Sequence, residues 1–323
     1  MKLVDMHCDT ISALMNRDHS ESLKANHLSV DIQKMRKAKS LIQFFACFVY
    51  TPDGNWNQAY AEALSMIERI YQEENEELHI AYSYEDIQKN EKAGIISAMM
   101  TVEEGGVLNN DMERLAQLYQ KGVRLITLTW NHENCLGYPN STEADIMEKG
   151  LKPFGKEVLE QMNNLGMLID VSHLSDGGFW DCIRYSRAPI VASHSNCRAL
   201  CKHQRNLTDE MIKALAGKGG VAGLNLYPAF ISGDSPCLAD IARHARHMID
   251  TGGEDFPAIG TDFDGFETAD GLEWITDIGE MDKVWEEFRK AGITERQIDK
   301  IQSQNVLRVL QSVKTSQETI NFY

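Results

Sequence analysis

The sequence has no excess of basic residues. Of its 323 residues, 48 are Asp or Glu and 32 are Lys or Arg, which gives a net charge of −16 at pH 7. Proteins that act mainly on nucleic acids or anionic membranes need clustered Lys and Arg. We therefore expect neither a nucleic-acid nor a membrane partner. The acidic balance does not identify a substrate, because many acidic side chains simply solvate helix faces.

Long hydrophobic runs and a secretory signal are also missing. The longest apolar run, residues 41–50, contains Gln43 and is about half as long as a transmembrane helix. The N-terminus leads directly into the first predicted strand, without the apolar stretch of a signal peptide. The seven cysteines are odd in number and scattered, which favours free thiols over a disulfide framework. We therefore expect a cytoplasmic protein.

Internal repeats, low-complexity tracts and a Pro-, Gly- or Ser-rich linker are absent as well. We expect one barrel domain over residues 1–323, with a C-terminal helical extension from about residue 280. The tail after about Lys314 is expected to be loosely held. A chain of this length is compatible with a single α/β barrel.

What the sequence does contain is a repeated alternation of short β-prone runs and helical patterns. Runs of apolar and β-branched residues predict eight strands, at residues 2–6, 42–50, 95–101, 124–129, 167–171, 189–193, 220–225 and 258–261. Apolar residues at helical spacing fill most intervals, and a T-x-x-Q capping box at Thr294 opens a late helix. Eight β–α units predict an α/β fold, a (β/α)₈ TIM barrel. An open doubly wound sheet is the alternative, but no G-x-G-x-x-G follows the first strand.

Ionisable residues collect at the predicted C-terminal ends of these strands, where α/β barrels have their active sites. They are His7 and Asp9 after the first strand, Glu103 and Glu104 after the third, His173 after the fifth, His194 after the sixth, and Asp262 and Asp264 after the eighth. One histidine at such a place is more often structural. Three histidines and several carboxylates together would be costly without a cation to offset the negative charges.

This pattern predicts a metal site. His7 and Asp9 are alternate residues of an extended segment, so their side chains point the same way. Imidazole and carboxylate ligands suit Zn²⁺, with Mn²⁺, Co²⁺ or Fe²⁺ as substitutes. Two metals need a bridging carboxylate, for which Glu103 and Glu104 are the candidates on the third strand. His132, after the fourth strand, and Tyr227, after the seventh, should overlook the same end of the barrel.

The motifs resemble those of the membrane (renal) dipeptidase family, the zinc dipeptidases of the amidohydrolase-like barrels, including its bacterial members. The resemblance runs from about Leu3 to Val309. Its segments are D-x-H-x-D at 5–9, E-G-G at 104–106, I-T-L-T at 126–129, I-D-V-S-H at 169–173, S-H-S at 193–195, R-N-L at 205–207, G-T-D-F-D-G at 260–265 and N-x-L-R-V at 305–309. Taken together and in this order, these segments are highly specific.

The resemblance implies roles for individual residues. Two zinc ions would be bound by His7 and Asp9 (first ion), His173 and His194 (second ion) and Glu104 (bridge), with Asp262 beside the first ion. Glu104 is preferred to Glu103 because the family's bridging glutamate directly precedes the Gly-Gly pair. Arg205 matches the family's arginine for the substrate carboxylate.

One position departs from the family pattern. Other members have a histidine directly after L-T-L-T that assists the tetrahedral intermediate, but Trp130 stands there in this sequence. Trp-Asn at this point is typical of a bacterial subgroup. His132 follows two residues later and is the candidate for binding the substrate and stabilising the oxyanion, a role that the sequence leaves open.

The expected function is a zinc-dependent dipeptidase. A water bridging two zinc ions loses a proton near neutral pH, and the hydroxide would attack a peptide carbonyl. Asp262 would take that proton and return it to the leaving amine. Arg205 would pair with the free C-terminal carboxylate of the dipeptide. L,D-dipeptides are among the candidate substrates, and a homodimer is left open.

Two other functions remain as alternatives. One is another amidohydrolase-type activity on a lactone, a cyclic amide or a phosphoester. Many such barrels bridge their metals with a carboxylated lysine on the fourth strand, and residues 124–129 contain no lysine. The other is a metal-binding protein without catalysis, for which part of the ligand set should be missing.

Overall fold

Eight parallel strands of the computed structural model close into a barrel. The structure describes residues 2–16, 21–269 and 271–313, so the predicted tail after about Lys314 lies outside the described residues. The strands are β1 (Leu3–Cys8), β2 (Ser40–Phe48), β3 (Leu78–Ile80), β4 (Ile96–Glu103), β5 (Val123–Thr127), β6 (Leu168–Asp170), β7 (Val191–Ala192), β8 (Val221–Leu224) and β9 (Pro257–Ile259). Neighbours pair in the order β2, β1, β9, β8, β7, β6, β5, β4, and β2 pairs with β4 to close the ring.

The predicted (β/α)₈ TIM barrel is confirmed, and each of the eight predicted strands overlaps a barrel strand. The ninth strand, β3, was missed. It pairs with residues 96–98 at the start of β4, and β5 becomes the partner of β4 from Met100 onwards. Three residues with a polar His79 in the middle are too few to give a recognisable β pattern.

Helices alternate with the strands and surround the barrel. They are α1 (Thr10–Met15), α2 (Ile32–Lys37), α3 (Trp56–Glu73), α4 (Tyr84–Ala93), α5 (Met112–Gln120), α6 (Ala144–Met147), α7 (Pro153–Leu165), α8 (Asp176–Tyr185), α9 (Asp209–Gly217), α10 (Pro228–Ile231), α11 (Leu238–Gly252), α12 (Met281–Lys290), α13 (Glu295–Asp299) and α14 (Asn305–Ser312). Their ends follow the sequence: Gly166 stops α7 at φ +70°, and Thr294 forms the predicted capping box with Gln297. No helix in the described part of the chain is long and apolar enough to span a bilayer.

The N-terminal end of the barrel is filled with apolar side chains. Val4, Phe44 and Leu125 belong to a buried cluster that also contains Val309 and Leu310 of α14. The C-terminal helix therefore closes this end, while the other end stays available for a site. Helices α12, α13 and α14 follow β9, but the assignment of residues from about 280 to an extension of a single domain stays a prediction.

Candidate metal centre

The end of β1 contributes the first group of potential metal ligands. His7 is in the strand and Asp9 follows it, and the two side chains lie together, with 3.3 Å between His7 Nε2 and Asp9 Oδ2. The same His7 nitrogen is 3.2 Å from Oε2 of Glu103, the last residue of β4. Ligand atoms of these three buried side chains lie within 4.8 Å of one another, a spacing at which they could hold one metal ion.

The ends of β6 and β7 contribute the second group. His173 follows β6 and His194 follows β7, and their Nε2 atoms are 3.0 Å apart. The other oxygen of Glu103, Oε1, is 3.0 Å from His173 Nε2 and 3.6 Å from His194 Nε2. Glu103 therefore stands between the groups and offers one carboxylate oxygen to each.

The expectation that Glu104, and not Glu103, lies between the two groups was wrong. The Glu104 carboxylate is buried beside the site, where Oε1 accepts hydrogen bonds from Gly106 N (2.8 Å) and Asn134 Nδ2, and Oε2 accepts one from Trp130 N (3.0 Å). Trp130 and Asn134 belong to the loop after β5, so Glu104 holds this loop in place. Glu104 is thus a structural anchor, and Glu103 is the glutamate that lies between the two groups of potential ligands.

The alternation of side chains along β4 explains this difference. Met99 packs in the apolar cluster inside the barrel, whereas Met100 and Val102 pack in the cluster shared with the surrounding helices. Glu103 has the parity of Met99 and therefore points into the barrel. The sequence carried this signal in the strand pattern, but the match to E-G-G outweighed it.

The buried polar atoms fit a cation. His7 Nδ1 and Nε2, Asp9 Oδ1 and Glu103 Oε1 have no hydrogen-bond partner among the described residues. Buried polar atoms are nearly always paired, so such a group needs an explanation, and an ion is a simple one. Burial opposes charge here, but Glu103 and Asp9 nevertheless raise the pKa of His7 well above its usual range. Burial likewise opposes ionisation of Glu103, yet His7 and His173 hold the pKa of Glu103 well below its usual value.

Hydrogen bonds behind the ligands fix their orientation. His194 Nδ1 donates to Ser193 Oγ (2.7 Å), which in turn donates to the buried carboxylate of Asp170. His173 Nδ1 donates to Asn131 Oδ1 (3.0 Å). In both rings the proton is then on Nδ1, and the Nε2 lone pair faces Glu103, as a metal ligand requires.

Some of these supporting residues could have been found from sequence. Asp170 precedes His173 by three residues, and Asp5 precedes His7 by two. Asp5 accepts hydrogen bonds from Gln43 Nε2 and from Thr261 N and Oγ1. A carboxylate just upstream of a candidate histidine is a usable signal for a supporting residue, although Asp170 supports His194 and not the adjacent His173. Nothing in the sequence marked Asn131 for such a role.

Asp262 lies next to the first group. Its Oδ1 is 3.7 Å from His7 Nε2, and its Oδ2 accepts a hydrogen bond from Asn225 Nδ2 (2.8 Å) at the end of β8. Burial, supported by the charges of Asp9 and Glu103 and opposed by His7, raises the pKa of Asp262 to about 7. A carboxyl group with such a pKa can accept and return a proton near neutrality.

The backbone is strained at the same place. His173 (φ +65°), Asp262 (φ +63°) and Asp264 (φ +68°) adopt the left-handed conformation that side chains other than glycine rarely take. Each such residue costs on the order of 1–3 kcal/mol and persists where its surroundings hold it. Three hydrogen bonds from Thr129 and Asn140 hold the carbonyl of His173.

A cavity of about 440 Å³ opens above the ligands, and we call it the mouth. Asp9, Glu103, His173 and Asp262 are at its floor, and the predicted Tyr227 lines it. His132 does not line it. Its ring lies 5.8 Å from the ring of Trp130, and Trp130 together with Asn131 takes the place at the mouth that was expected for His132. The predicted substrate and oxyanion roles of His132 therefore do not match its position, because the loop turns Trp130 inwards.

Arg205 is buried beside the ligands and is 5% exposed. Its Nη2 donates to His194 O (3.2 Å) and its Nη1 to Ser195 Oγ (3.4 Å), while Nε has no partner among the described residues. It lines a narrow space next to the mouth that it shares with His173. A buried guanidinium held by two neutral oxygens has capacity to pair with an anion.

Comparison with known proteins shows the family of this chain. The model of the membrane dipeptidase family, peptidase family M19, matches residues 1–323. An uncharacterized protein encoded in the pqqA 5′ region of Klebsiella pneumoniae is 32% identical over 264 residues, which covers 78% of this chain and 95% of that protein. An uncharacterized dipeptidase of Schizosaccharomyces pombe is 30% identical over 296 residues, 86% of this chain and 71% of that protein.

Solved structures show the same fold. A metallopeptidase from Rhodobacter sphaeroides, determined with a phosphinate mimic of the dipeptide L-Ala-D-Ala, superposes with a TM-score of 0.87 at 24% identity. The match covers 97% of this chain and 99% of that one. The ligand groups, the barrel and the family match agree: the chain belongs to the membrane dipeptidase family, peptidase family M19, and is a hydrolase of the metallopeptidase class that acts as a dipeptidase.

Proposed function

We propose that the protein is a zinc dipeptidase that holds two zinc ions and hydrolyses dipeptides with a free C-terminal carboxylate, L,D-dipeptides included. The observation that carries this proposal is the position of Glu103 between the two ligand groups. Tetrahedral zinc with bonds of about 2.0–2.2 Å keeps neighbouring ligand atoms roughly 3.3–3.6 Å apart. The contacts within the two groups are 3.0–3.6 Å.

The donor set supports the choice of metal. Imidazole and carboxylate ligands suit Zn²⁺, and Mn²⁺, Co²⁺ and Fe²⁺ are the substitutes to compare with it. When bound, two such ions would lower the pKa of a water molecule and polarise a carbonyl group. The remaining steps belong to side chains of this protein.

Asp262 is the proton carrier of the proposal. It reaches over the floor of the mouth with one oxygen, while the hydrogen bond from Asn225 holds the other. It would take the proton of the attacking water and return it to the amine that leaves when the peptide bond breaks.

Arg205 is the carboxylate anchor of the proposal. A guanidinium pairs with a carboxylate in a fixed geometry, so it would set the distance from the C-terminus to the bond that is cleaved. One residue fits between an anchored carboxylate and a scissile carbonyl, so this anchor would fix the length of the substrate on the C-terminal side of the cleaved bond. Its predicted place in substrate binding is supported by its burial and its free Nε.

We also propose that the protein works in the cytoplasm on small peptides, without a nucleic-acid or membrane partner. The net charge of −16 and the seven free cysteines support this view. A homodimer is the proposed alternative to a monomer, and the mass of the protein in solution decides between them.

The experiment combines metal analysis with a dipeptide library. Dipeptides of L,L and L,D configuration, each also in C-terminally amidated form, are assayed before and after chelation and after reloading with zinc. We expect about two zinc ions per chain, activity that disappears with the metal and returns with zinc, and no hydrolysis of the amides. Full activity with one ion per chain would overturn the two-zinc scheme. Equal hydrolysis of acids and amides would remove Arg205 from its role.

The same assay addresses the alternative functions. A lactone, cyclic amide or phosphoester that is turned over far faster than any dipeptide would contradict the proposal. Metal binding without turnover of any of these substrates would favour a binding protein.

A further inference from the structure

The mouth has aromatic side chains on two of its sides. Phe48 and Trp130 form one side, with their ring centroids 5.0 Å apart, and we call this pair the Trp130 wall. Tyr227 and its two ring contacts, Phe230 at 4.8 Å and Phe266 at 5.2 Å, form the Tyr227 wall. Neither the metal ligands nor the proton carrier accounts for these rings.

The barrel places the two walls opposite each other. Phe48 ends β2 and Trp130 follows β5, so the Trp130 wall stands above β4, which lies between those strands. The Tyr227 wall follows β8 and β9. In a ring of eight strands, β8 is four positions from β4 in either direction. The metal ligands therefore lie between two apolar surfaces.

Arg205 distinguishes the two walls from each other. Its guanidinium carbon is 5.4 Å from the ring centroid of Phe230, within the range of a cation–π contact. A carboxylate bound at Arg205 would thus be next to the Tyr227 wall. The residue on the other side of the scissile bond would extend across the metal ligands towards Trp130, whose ring is 6.1 Å from that of His173.

We propose that the Trp130 wall binds the side chain of the N-terminal residue of the substrate and the Tyr227 wall that of the C-terminal residue. The preferred substrates are accordingly dipeptides with apolar or aromatic side chains. This inference rests on the dipeptidase function proposed above and deepens it.

The Trp130 wall is preorganised for this purpose. Glu104 accepts a hydrogen bond from Trp130 N, and the Trp130 ring also has an edge contact with Tyr50 at 5.6 Å. A ring that is already fixed loses little conformational entropy when a substrate side chain packs on it. The buried Glu104 therefore acts on specificity through Trp130, although it does not line the mouth.

The test compares Trp130→Ala with Phe266→Ala as the matched variant of the other wall. Values of kcat/KM are measured for two pairs of dipeptides, Phe-Ala against Gly-Ala and Ala-Phe against Ala-Gly. We expect Trp130→Ala to lower the first ratio by roughly 10-fold or more, the scale of discrimination by an apolar pocket. The second ratio should stay within about 3-fold of wild type. Phe266→Ala should do the reverse.

A further variant protects the test from effects on folding. Trp130→Phe keeps an aromatic surface and should retain most of the Phe-Ala preference, while metal content shows that each variant keeps its site. If Trp130→Ala lowers both ratios equally, or only the second, the assignment of the walls is wrong. The dipeptides are assayed in L,L form and, where the C-terminal residue is chiral, also in L,D form. If wild-type protein loaded with zinc hydrolyses none of them in either form, the proposed function itself fails.

Discussion

The two ends of the barrel are made from the same strands but bury opposite kinds of side chain, apolar at one end and ionisable at the other. At the N-terminal end, Val4, Phe44 and Leu125 are apolar, buried and covered by α14. At the C-terminal end, Glu103 and His7 have buried atoms without a hydrogen bond to any described residue, and His173 is held at a positive φ. Apolar burial stabilises the fold, whereas unpaired polar groups and strained backbone destabilise it. Stability and chemistry are thus separated along the barrel axis.

The largest effect that tests this separation comes from Glu103 and Glu104. Glu103→Gln removes the charge between the two ligand groups, and we expect activity to fall by more than the roughly 100-fold that loss of an outer-sphere partner costs. Metal content should fall with it. Metal analysis and kcat/KM on a dipeptide measure both quantities.

Glu104→Gln is the matched control at the neighbouring position. Its amide can still accept at one oxygen, but at least one of the three donors around Glu104 loses its acceptor. We expect the protein to lose about 1–3 kcal/mol of stability and to keep its metal. The opposite result, with metal lost from Glu104→Gln and kept in Glu103→Gln, would restore Glu104 as the bridging residue.

The same pair of residues shows what sequence could predict. The eight strands followed from runs of apolar residues, because parallel strands buried on both faces leave a strong local signal. The candidate ligands His7, Asp9, His173 and His194 followed from their places at strand ends. Successive residues of a strand point to opposite faces of the sheet, so an error of one residue assigns a side chain to the wrong face. Glu103 and Glu104 differ by this one residue.

Loop conformation was the other feature that the sequence did not predict. His132 was expected at the mouth because it follows a strand, but the path of a loop depends on contacts distant in sequence. Here the hydrogen bonds that Trp130 N and Asn134 Nδ2 donate to the Glu104 carboxylate set that path. Neither contact leaves a periodic pattern, so Trp130 and Asn131 could not be placed at the mouth in advance.

The next effect belongs to the N-terminal end of the barrel. Leu125→Ala leaves a cavity among fully buried side chains, and we expect a loss of roughly 2–5 kcal/mol in the free energy of unfolding. Metal content and kcat should stay close to wild type, because the site is at the other end. Chemical denaturation and metal analysis check these expectations. A variant that unfolds no more easily but loses metal would break the separation of the two ends.

A smaller effect is expected behind the ligands. Ser193→Ala breaks the chain of hydrogen bonds from His194 to Asp170, and we expect metal affinity to fall roughly 10–100-fold. Thr127→Val is the control, since Thr127 donates to the same carboxylate of Asp170 without contacting the ring. Competition with a chelator measures the affinities. Equal losses in both variants would mean that Asp170 acts through general packing and not through the orientation of His194.

The smallest effect concerns pH in metal-free protein. The raised pKa of Asp262, about 7 against an ordinary value of 3.8, means that the folded protein keeps a proton on this carboxyl group where the unfolded chain has lost it. This contribution stabilises the fold at low pH and disappears as pH rises through about 7. Asp262→Asn removes this pH dependence. We therefore expect the Tm of the variant, relative to that of wild type, to increase as the pH rises from about 5 to about 8.5. A gain of about 1 kcal/mol would appear as about 2 °C in a chain of this size. Thermal melts of both proteins in chelator measure this difference. If the difference in Tm between variant and wild type stays constant with pH, or is larger at acidic pH, burial does not raise the pKa of Asp262 in the folded protein. Zinc should abolish the trend, because a bound cation compensates the negative charge that makes the mouth unstable.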